Sequence, residues 1–321
     1  MSAIDDRYLL KLKALHYHYE KKITQTETAK LLGISRVTLS KLIKEAWDEG
    51  MINIEIVDYR HMGTMIRLED QLQSKYGLDM VKVVDCQNDD RGLITHSIGK
   101  AAAKYLDGLM KSNIKISVSW GSTLEATVNH ITANPSLRDI ELYTLVGTAG
   151  VSTPQTQPNL IVQNLLQKIK GSGYIINAPF ICQSKELCDA IKREPHIEKV
   201  LSESKAADIV LLGIGDSPDV AAKRQDTFHY SEEIMSEMQD LGAVGDICGN
   251  FYDIKGELLN TSFSDRMVAI DIRELRGRRG VICMGGGRHK VRSIIGALNG
   301  KYFSELVTDK FTAERLVAFK E

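Results

Sequence analysis

Glycine, serine and threonine follow an apolar run and precede a helix-like pattern in the segment SWGSTLEAT (residues 119–127). Backbone amides at a helix N-terminus point outward with the positive end of the helix dipole, and this geometry attracts phosphate. Gly121, Ser122 and Thr123 would therefore supply amides and hydroxyls to an anionic group. For any such loop taken alone, a tight turn without a ligand is the alternative.

Two further loops occupy the same position after an apolar run. LVGTAG (145–150) offers Gly147 and Thr148, and MGGGRHK (284–290) offers Lys290 as a cation. Ligands of open α/β sheets bind beyond the carboxyl ends of the strands, where such loops meet. Three loops of this kind favour a small phosphorylated or polyhydroxylated ligand.

Asp246 in GDICGNFYD (245–253) follows a glycine, where its carboxylate could accept hydrogen bonds from sugar hydroxyls or could be a solvated turn residue. It could also act as a general base. No second catalytic partner stands in the local motifs, so an isomerase or deaminase activity is the alternative to a binding function. The dinucleotide motif GxGxxG and the phosphate-loop motif GxxxxGK[ST] are absent from the sequence, and no cofactor is expected.

Short apolar runs alternate with amphipathic helix patterns from about residue 60 onward. The runs are MVKVVD, IKISVSWG, IELYTLVG, GYIINAPF, ADIVLLGIG, GVICMGGG and ELVTD. Several are apolar on both faces, as the strands of a buried parallel sheet are. The pattern predicts a large, doubly wound α/β domain over residues 59–321.

Before that domain, the segment TQTETAKLLGISRVTLSK (24–41) predicts two helices joined by a turn. Thr24 and Glu27 form a capping box at the start of the first helix. Gly33 is suited to end it in the left-handed conformation, and Ser35 caps the next helix.

A helix-turn-helix needs a small residue where its helices touch, a glycine in the turn and apolar residues on the inner face of the second helix. These requirements are met by Ala29, Gly33, Leu39 and Leu42. The second helix then faces outward with Ser35, Arg36, Val37, Thr38, Ser40, Lys41 and Lys44, and Gln25 opens the first helix.

The outward residues suit DNA chemically. The Arg36 guanidinium can pair with guanine, whereas Lys41, Lys44 and Gln25 are suited to phosphates. A plain helical hairpin with a solvated face is the alternative. Because recognition helices usually act in pairs, we expect operator DNA as a partner and an even-numbered homo-oligomer, a dimer or a tetramer.

The first helix and the link to the large domain are less distinctive. Tyr8, Leu12, Leu15 and Tyr19 have a spacing that places them on one helix face, and INIEIV (52–57) alternates like a strand. We predict a helix-turn-helix domain over residues 1–58.

Composition limits the remaining possibilities. The formal net charge of −1 means that any DNA-binding surface must be local, and neither a membrane span nor a signal peptide is present, which predicts a cytoplasmic protein without a membrane partner. The five cysteines contain no CxxC, so small buried side chains are favoured over disulfides or a metal site.

The motifs TQTETAKLLGIS, SVSWGSTL, AVGDICGNFYD and GGGRHKVRSIIGALNGKYFSELVTD together resemble the SorC family of bacterial transcriptional regulators. The resemblance covers essentially the full length. It implies an N-terminal helix-turn-helix, a sugar-binding domain related to sugar-phosphate isomerases and deaminases but without catalysis, phosphorylated sugars as effectors, and commonly a tetramer.

By this similarity, the SWGST loop and the GT of LVGTAG would hold phosphate or nearby hydroxyls, and Asp246 and Lys290 match effector-contacting positions. One branch of the family has, as we align it, a lysine in place of Val146 that is thought to form a Schiff base with its effector. Val146 excludes that covalent capture here. Arg288 and His289 add potential cations beside Lys290, which hints at a more highly charged effector.

Overall fold

A computed structural model of the chain describes residues 3–52, 63–149, 154–221, 230 and 232–320, and the structural statements below concern these residues. The chain divides into two units, Met1–His61 and Met62–Glu321. Residues 53–57 of the predicted strand and the predicted boundary between residues 58 and 59 lie outside the described residues.

The first unit begins with helix α1 (Ala3–Leu15), which continues as a π-helical turn (His16–Glu20). Of the four residues predicted on one face of this helix, only Leu15 packs against the core of the unit, whereas Tyr8, Leu12 and Tyr19 are 52%, 42% and 36% exposed. Lys11 and Ala14 are buried instead. Glu45 and Glu49 pair with the Lys11 amine, and such pairing offsets the cost of burying a charged group.

Helices α2 (Gln25–Leu31) and α3 (Arg36–Asp48) follow, as the sequence predicts. The capping box between Thr24 and Glu27 is formed in both directions, and Ser35 accepts a hydrogen bond from the Thr38 amide. Gly33 has φ of +66°, a conformation that costs a residue with a Cβ atom about 1 kcal/mol.

The second unit is built on a parallel sheet. Its strands are β1 (Met80–Val84), β2 (Lys115–Val118), β3 (Ile140–Thr144), β4 (Gly171–Tyr174), β5 (Ile209–Gly213), β8 (Val281–Met284) and β9 (Glu305–Asp309). Their order across the sheet is β1-β9-β8-β5-β2-β3-β4. The predicted α/β class is confirmed. Each of the seven apolar runs contributes a strand, although β4 begins two residues before the predicted run GYIINAPF.

Helices connect these strands and cover both faces of the sheet. They are α4 (Gly63–Tyr76), α5 (Arg91–Leu109), α6 (Ser122–His130), α7 (Pro158–Leu166), α8 (Lys185–Lys192), α9 (Pro195–Ala206), α10 (Pro218–Ala221), α11 (Glu232–Asp240), α12 (Val291–Asn299) and α13 (Lys310–Ala318). Successive strand residues belong to different cores. Val210 and Leu212 join the cluster that contains α12, whereas Ile209 and Leu211 join the cluster that contains α5 and α6. This two-sided burial explains why the strands are apolar throughout.

A short antiparallel hairpin, β6 (Gly245–Ile247) and β7 (Asn250–Tyr252), packs against α12. The hairpin is not among the strands predicted from the sequence. Because each strand has three residues, it is too short to show an alternating pattern.

The five cysteines are free and buried, as the sequence predicts. Every described helix is too short or too polar to cross a membrane.

Candidate functional site

Helix α3 of the first unit has one buried and one exposed face. Leu39, Leu42, Ile43 and Ala46 are buried. The residues predicted to contact DNA are exposed, apart from a partly exposed Gln25: Ser35, Arg36, Val37, Thr38, Ser40, Lys41 and Lys44. The carboxylate that follows them, Glu45, is ion-paired with Arg7 of α1 at 2.7 Å, and this hydrogen bond lowers the pKa of Glu45. The exposed face therefore keeps three cations whose charge Glu45 does not cancel.

The second unit contains a cavity of about 230 Å³ at the carboxyl ends of the strands. Five of the seven residues predicted to bind an effector line it: Gly121, Ser122, Thr123, Asp246 and Lys290. They come from three separate segments of the chain. Two of these segments follow strands β2 and β8 of the parallel sheet, and the third is strand β6 of the hairpin.

The N-terminus of α6 forms one wall of the cavity. Gly121 has φ of +127° and donates its amide hydrogen to the Thr156 carbonyl, which fixes the turn between β2 and α6. The first-turn amides of a helix have no partner within the helix and are available to an anion. Glu125 also lies in this first turn and lines the cavity, so the wall is less electropositive than its backbone alone would make it.

Asp246 forms a second wall, on strand β6. Its carboxyl group is buried and accepts a hydrogen bond from the Gly249 amide at 3.0 Å. Burial raises the pKa of Asp246 to about 6, since the ionised form loses its hydration. Gly215 lies so close that an added Cβ would be 1.7 Å from Oδ1 of Asp246. Asp246 is therefore an enclosed polar group, not a solvated turn residue.

A cluster of charged residues forms the third wall. Lys290 Nζ lies 2.7 Å from Oδ1 of Asp216, and Arg91 Nη2 lies 3.3 Å from its Oδ2. His289 Nε2 is 3.7 Å from the same carboxylate. Lys290 also donates a hydrogen bond to the Ile214 carbonyl. The lysine that the sequence predicts as an anion contact is thus already paired with a carboxylate.

The loop that carries Lys290 is held from behind by Asp309, the N-cap of α13. Asp309 is fully buried and accepts hydrogen bonds from the Thr312 amide and hydroxyl. The Gly287 amide donates to Asp309 Oδ2 at 3.0 Å and to the Thr312 hydroxyl at 2.7 Å. These contacts fix where His289 and Lys290 enter the cavity.

Gly147 and Thr148, the other two residues predicted to bind an effector, are not among the residues that line this cavity. The Gly147 amide donates to the Val268 carbonyl, and the Thr148 amide donates to the Ala178 carbonyl. These backbone groups extend the sheet edge and are not directed to a ligand. Val146 is fully buried beside them, and Arg288 is exposed outside the cavity lining.

Asp216 and Arg91 were not predicted from the sequence. Asp216 follows strand β5 in the segment GIGDSP, and its position beyond a strand end was a usable signal. Arg91 begins α5 and carries no local motif. Across the described residues, no group of three or more His, Cys, Asp or Glu side chains is arranged to hold a metal ion.

The family model described as "Putative sugar-binding domain" matches residues 60–318. The chain belongs to this sugar-binding domain family. The match covers the whole sheet, the hairpin and the cavity.

Relatives with names extend the similarity to the N-terminal unit. The deoxyribonucleoside regulator of Bacillus subtilis (strain 168) is 29% identical over 313 residues, which cover 97% of this chain and 98% of that protein. The sorbitol operon regulator of Klebsiella pneumoniae is 28% identical over 315 residues, with 98% of both chains covered. These relatives are named as regulators.

The solved structures agree. The crystal structure of the full-length sorbitol operon regulator SorC from Klebsiella pneumoniae has a TM-score of 0.74 and 27% identity, and the match covers 98% of this chain and 99% of that one. A transcriptional regulator from Streptococcus pneumoniae TIGR4 has a TM-score of 0.73 and 27% identity over 80% of this chain and 97% of its own. The resemblance to the SorC family is confirmed.

Proposed function

We propose that this chain is a DNA-binding transcriptional regulator of a carbohydrate-catabolic operon, and that a sugar or sugar-phosphate effector controls its operator binding. The observation that carries the proposal is full-length similarity to named regulators, with a polar cavity in the unit that matches the sugar-binding family. We assign residues 1–58 to DNA and residues 59–321 to the effector.

On the DNA side, α3 would enter the major groove. Arg36 in its first turn can form two hydrogen bonds to guanine, and Lys41 and Lys44 can bind phosphates. Val37 is 80% exposed, an unusual exposure for a valine, and its methyl groups suit contact with the methyl group of thymine. A pair of such helices gives enough surface for specific binding, so we propose an even-numbered oligomer.

On the effector side, the walls of the cavity differ in chemistry. Asp246 suits sugar hydroxyls, whereas the α6 N-terminus and Lys290 suit an anionic group. A polyhydroxylated ligand with a phosphate matches this arrangement better than an apolar ligand does. Val146 is buried and has no amine, so it cannot form a Schiff base with the effector.

A thermal-shift screen of the purified protein tests the effector assignment. Each sugar phosphate is paired with its unphosphorylated parent, because a ligand that binds only the folded state raises the melting temperature with its saturation. We expect one phosphosugar to give a selective shift that is lost in Lys290→Gln. If neither phosphosugars nor their parents shift the melting temperature, the effector assignment is wrong.

An enzymatic function remains the second candidate, because a buried carboxyl group with a pKa of about 6 is suited to general base catalysis. We propose that the cavity binds without catalysis, as the regulator names of the relatives suggest. Turnover of aldose or amino-sugar phosphates by the purified protein that disappears in Asp246→Asn would establish the enzyme instead.

A further inference from the structure

Asp216 is the most deeply buried member of the charged cluster in the cavity. Its side chain is 1% exposed, whereas the side chains of Lys290 and Arg91 are 13% and 35% exposed. The carboxylate is therefore less accessible than Lys290 and Arg91, and all three residues line the cavity.

This arrangement differs from a simple cationic pocket for phosphate. A cation that already has a carboxylate partner at 2.7 Å gains less from a second anion, because the two negative charges then repel each other across one side chain. The carboxylates of Glu125 and Asp246 also line the same cavity. The described lining residues thus include three acidic side chains beside Lys290 and Arg91.

We infer that Asp216 limits the charge of the ligand: the cavity accepts a polyhydroxylated ligand with one anionic group and disfavours a second one. This inference rests on the proposed effector site. It reverses the expectation of a highly charged effector that Arg288 and His289 suggested, since Arg288 is outside the cavity and His289 lies beside the Asp216 carboxylate.

The alternative role for Asp216 is purely structural, as an anchor that aligns Lys290 and Arg91. The two roles predict opposite effects of Asp216→Asn, which keeps the shape of the side chain. If Asp216 limits ligand charge, the variant binds anions more tightly. If it is only an anchor, the variant binds them more weakly.

The experiment compares inorganic phosphate with inorganic pyrophosphate on the full-length protein, by calorimetric titration at one pH and one ionic strength. We expect Asp216→Asn to bind pyrophosphate roughly tenfold more tightly than the wild type does, with a smaller gain for phosphate. The ratio of the two affinities therefore moves toward pyrophosphate. An unchanged ratio, weaker binding of both anions, or no anion binding by either protein overturns the inference.

Two further variants control the interpretation. Asp271→Asn removes a carboxylate outside the cavity lining, one paired with Arg273, and should leave the ratio unchanged. The double variant Asp216→Asn/Arg91→Gln removes one charge of each sign, so its ratio should return to the wild-type value. It leaves one cation, Lys290, without its Asp216 partner, where the single variant leaves two. A ratio that does not return contradicts the inference.

Failure of this inference and failure of the proposed function are distinguishable. If the wild type binds a sugar phosphate but the pyrophosphate ratio does not respond to Asp216→Asn, only the role of Asp216 is wrong. If the wild type binds no sugar or sugar phosphate, the effector site itself is wrong.

Discussion

Asp246 combines two properties that conflict, a buried position and a carboxyl group. Ionisation without water costs the folded state free energy, and the one hydrogen bond from the Gly249 amide compensates only part of it. Proteins retain such groups where function needs them. At the scale of single residues, Asp246 is therefore the clearest sign that the cavity has a function.

The raised pKa of Asp246 predicts how stability depends on pH. Because the folded-state pKa of about 6 lies above the ordinary aspartate pKa of 3.8, the folded state binds more protons between these values, and stability falls as pH rises through about 4 to 6. Asp246→Asn, which cannot ionise, should be more stable than the wild type by up to about 3 kcal/mol at pH 7 and about equally stable at pH 4.

Urea unfolding of both proteins at pH 7 and at pH 4 measures this difference. Asp265→Asn, which changes an exposed carboxylate, provides the control and should show little gain at either pH. A stability gain of Asp246→Asn that is equal at the two pH values would show that burial of the charge is not its cause.

Gly215 permits the position of Asp246, since an added methyl group would lie 1.7 Å from its carboxylate oxygen. Gly215→Ala should displace the carboxylate, lower the free energy of unfolding by about 1–3 kcal/mol and weaken effector binding. Gly108→Ala in α5 is the matched control, because nothing lies within 4 Å of the added methyl group and stability should rise slightly. Calorimetric titration with the effector and urea unfolding measure both effects. Undiminished effector binding by a folded Gly215→Ala would argue against Asp246 as a ligand contact.

The sequence predicts the loops that carry site residues better than it predicts the side chains that these residues contact. Gly121 and Lys290 follow strands, so parallel topology alone brings them to one cavity. Gly147 also follows a strand but leads into further backbone pairing, which residue type does not reveal. Asp216 and Arg91 acquire their roles only through contact across 125 residues of sequence separation, and no local pattern records such a contact.

Among the elements, helix α2 of the first unit depends strongly on its N-terminal cap. Helix α2 has seven residues, fewer than an isolated helix needs to be stable, so its end contacts and packing must support it. The Thr24 hydroxyl accepts from the Glu27 amide, and the Glu27 carboxylate accepts from the Thr24 amide. This reciprocal pair places Gln25 and, through the following turn, the start of α3.

Thr24→Ala should therefore destabilise α2 by about 1 kcal/mol and weaken operator binding without changing effector binding. Hydrogen exchange of the α2 amides in the full-length protein measures the local effect. Thr26→Ala is the control, because Thr26 is an exposed residue of α2, two positions after Thr24. This substitution should leave the protection of the α2 amides unchanged or slightly raised, since alanine favours helix. Equal protection in Thr24→Ala and the wild type would contradict the importance of the capping box.

Strands that are buried on both faces of the sheet can be predicted from their apolar sequence. Strands that are extended mainly because they pair with a neighbouring strand cannot. The run ADIVLLGIG contains β5, the central strand, because a long apolar segment is required there. At the sheet edge, β4 has the sequence GSGY, which has little β-propensity and is extended because it pairs with β3. The hairpin β6–β7 is similarly set by its packing against α12, not by its residue pattern.

For the whole molecule, the net charge of −1 does not show that the two units carry differently charged surfaces. The exposed face of α3 carries Arg36, Lys41 and Lys44, while the cavity balances cations with carboxylates. Each surface belongs to one unit, and no residue assigned to one ligand lies in the other unit. Binding of the two ligands should therefore be separable by mutation.

Arg36→Ala should weaken operator binding by about 1–3 kcal/mol and leave effector affinity unchanged, because one bidentate base contact is lost. Lys290→Gln should weaken effector binding and leave operator affinity without effector unchanged. Fluorescence anisotropy with DNA from upstream of the neighbouring genes, and calorimetry with the effector, measure the two affinities. Loss of both affinities from either substitution would contradict the division of function between the units.

Regulation also requires that the two separate sites influence each other, and thermodynamics fixes the form of that influence. If effector changes the operator dissociation constant by some factor, typically five to 150, operator must change the effector dissociation constant by the same factor. We expect equal factors when operator affinity is measured with and without saturating effector, and effector affinity with and without saturating operator, at one protein oligomeric state.

Asp246→Asn, with weakened effector contacts, tests whether Asp246 takes part in this coupling. The variant should reduce both factors together if Asp246 binds the effector more tightly in one of the two conformational states of the regulator than in the other. Equal factors that stay at the wild-type value in this variant would show that Asp246 binds the effector equally in both states, and the coupling would then have to come from the α6 N-terminus or the Lys290 cluster.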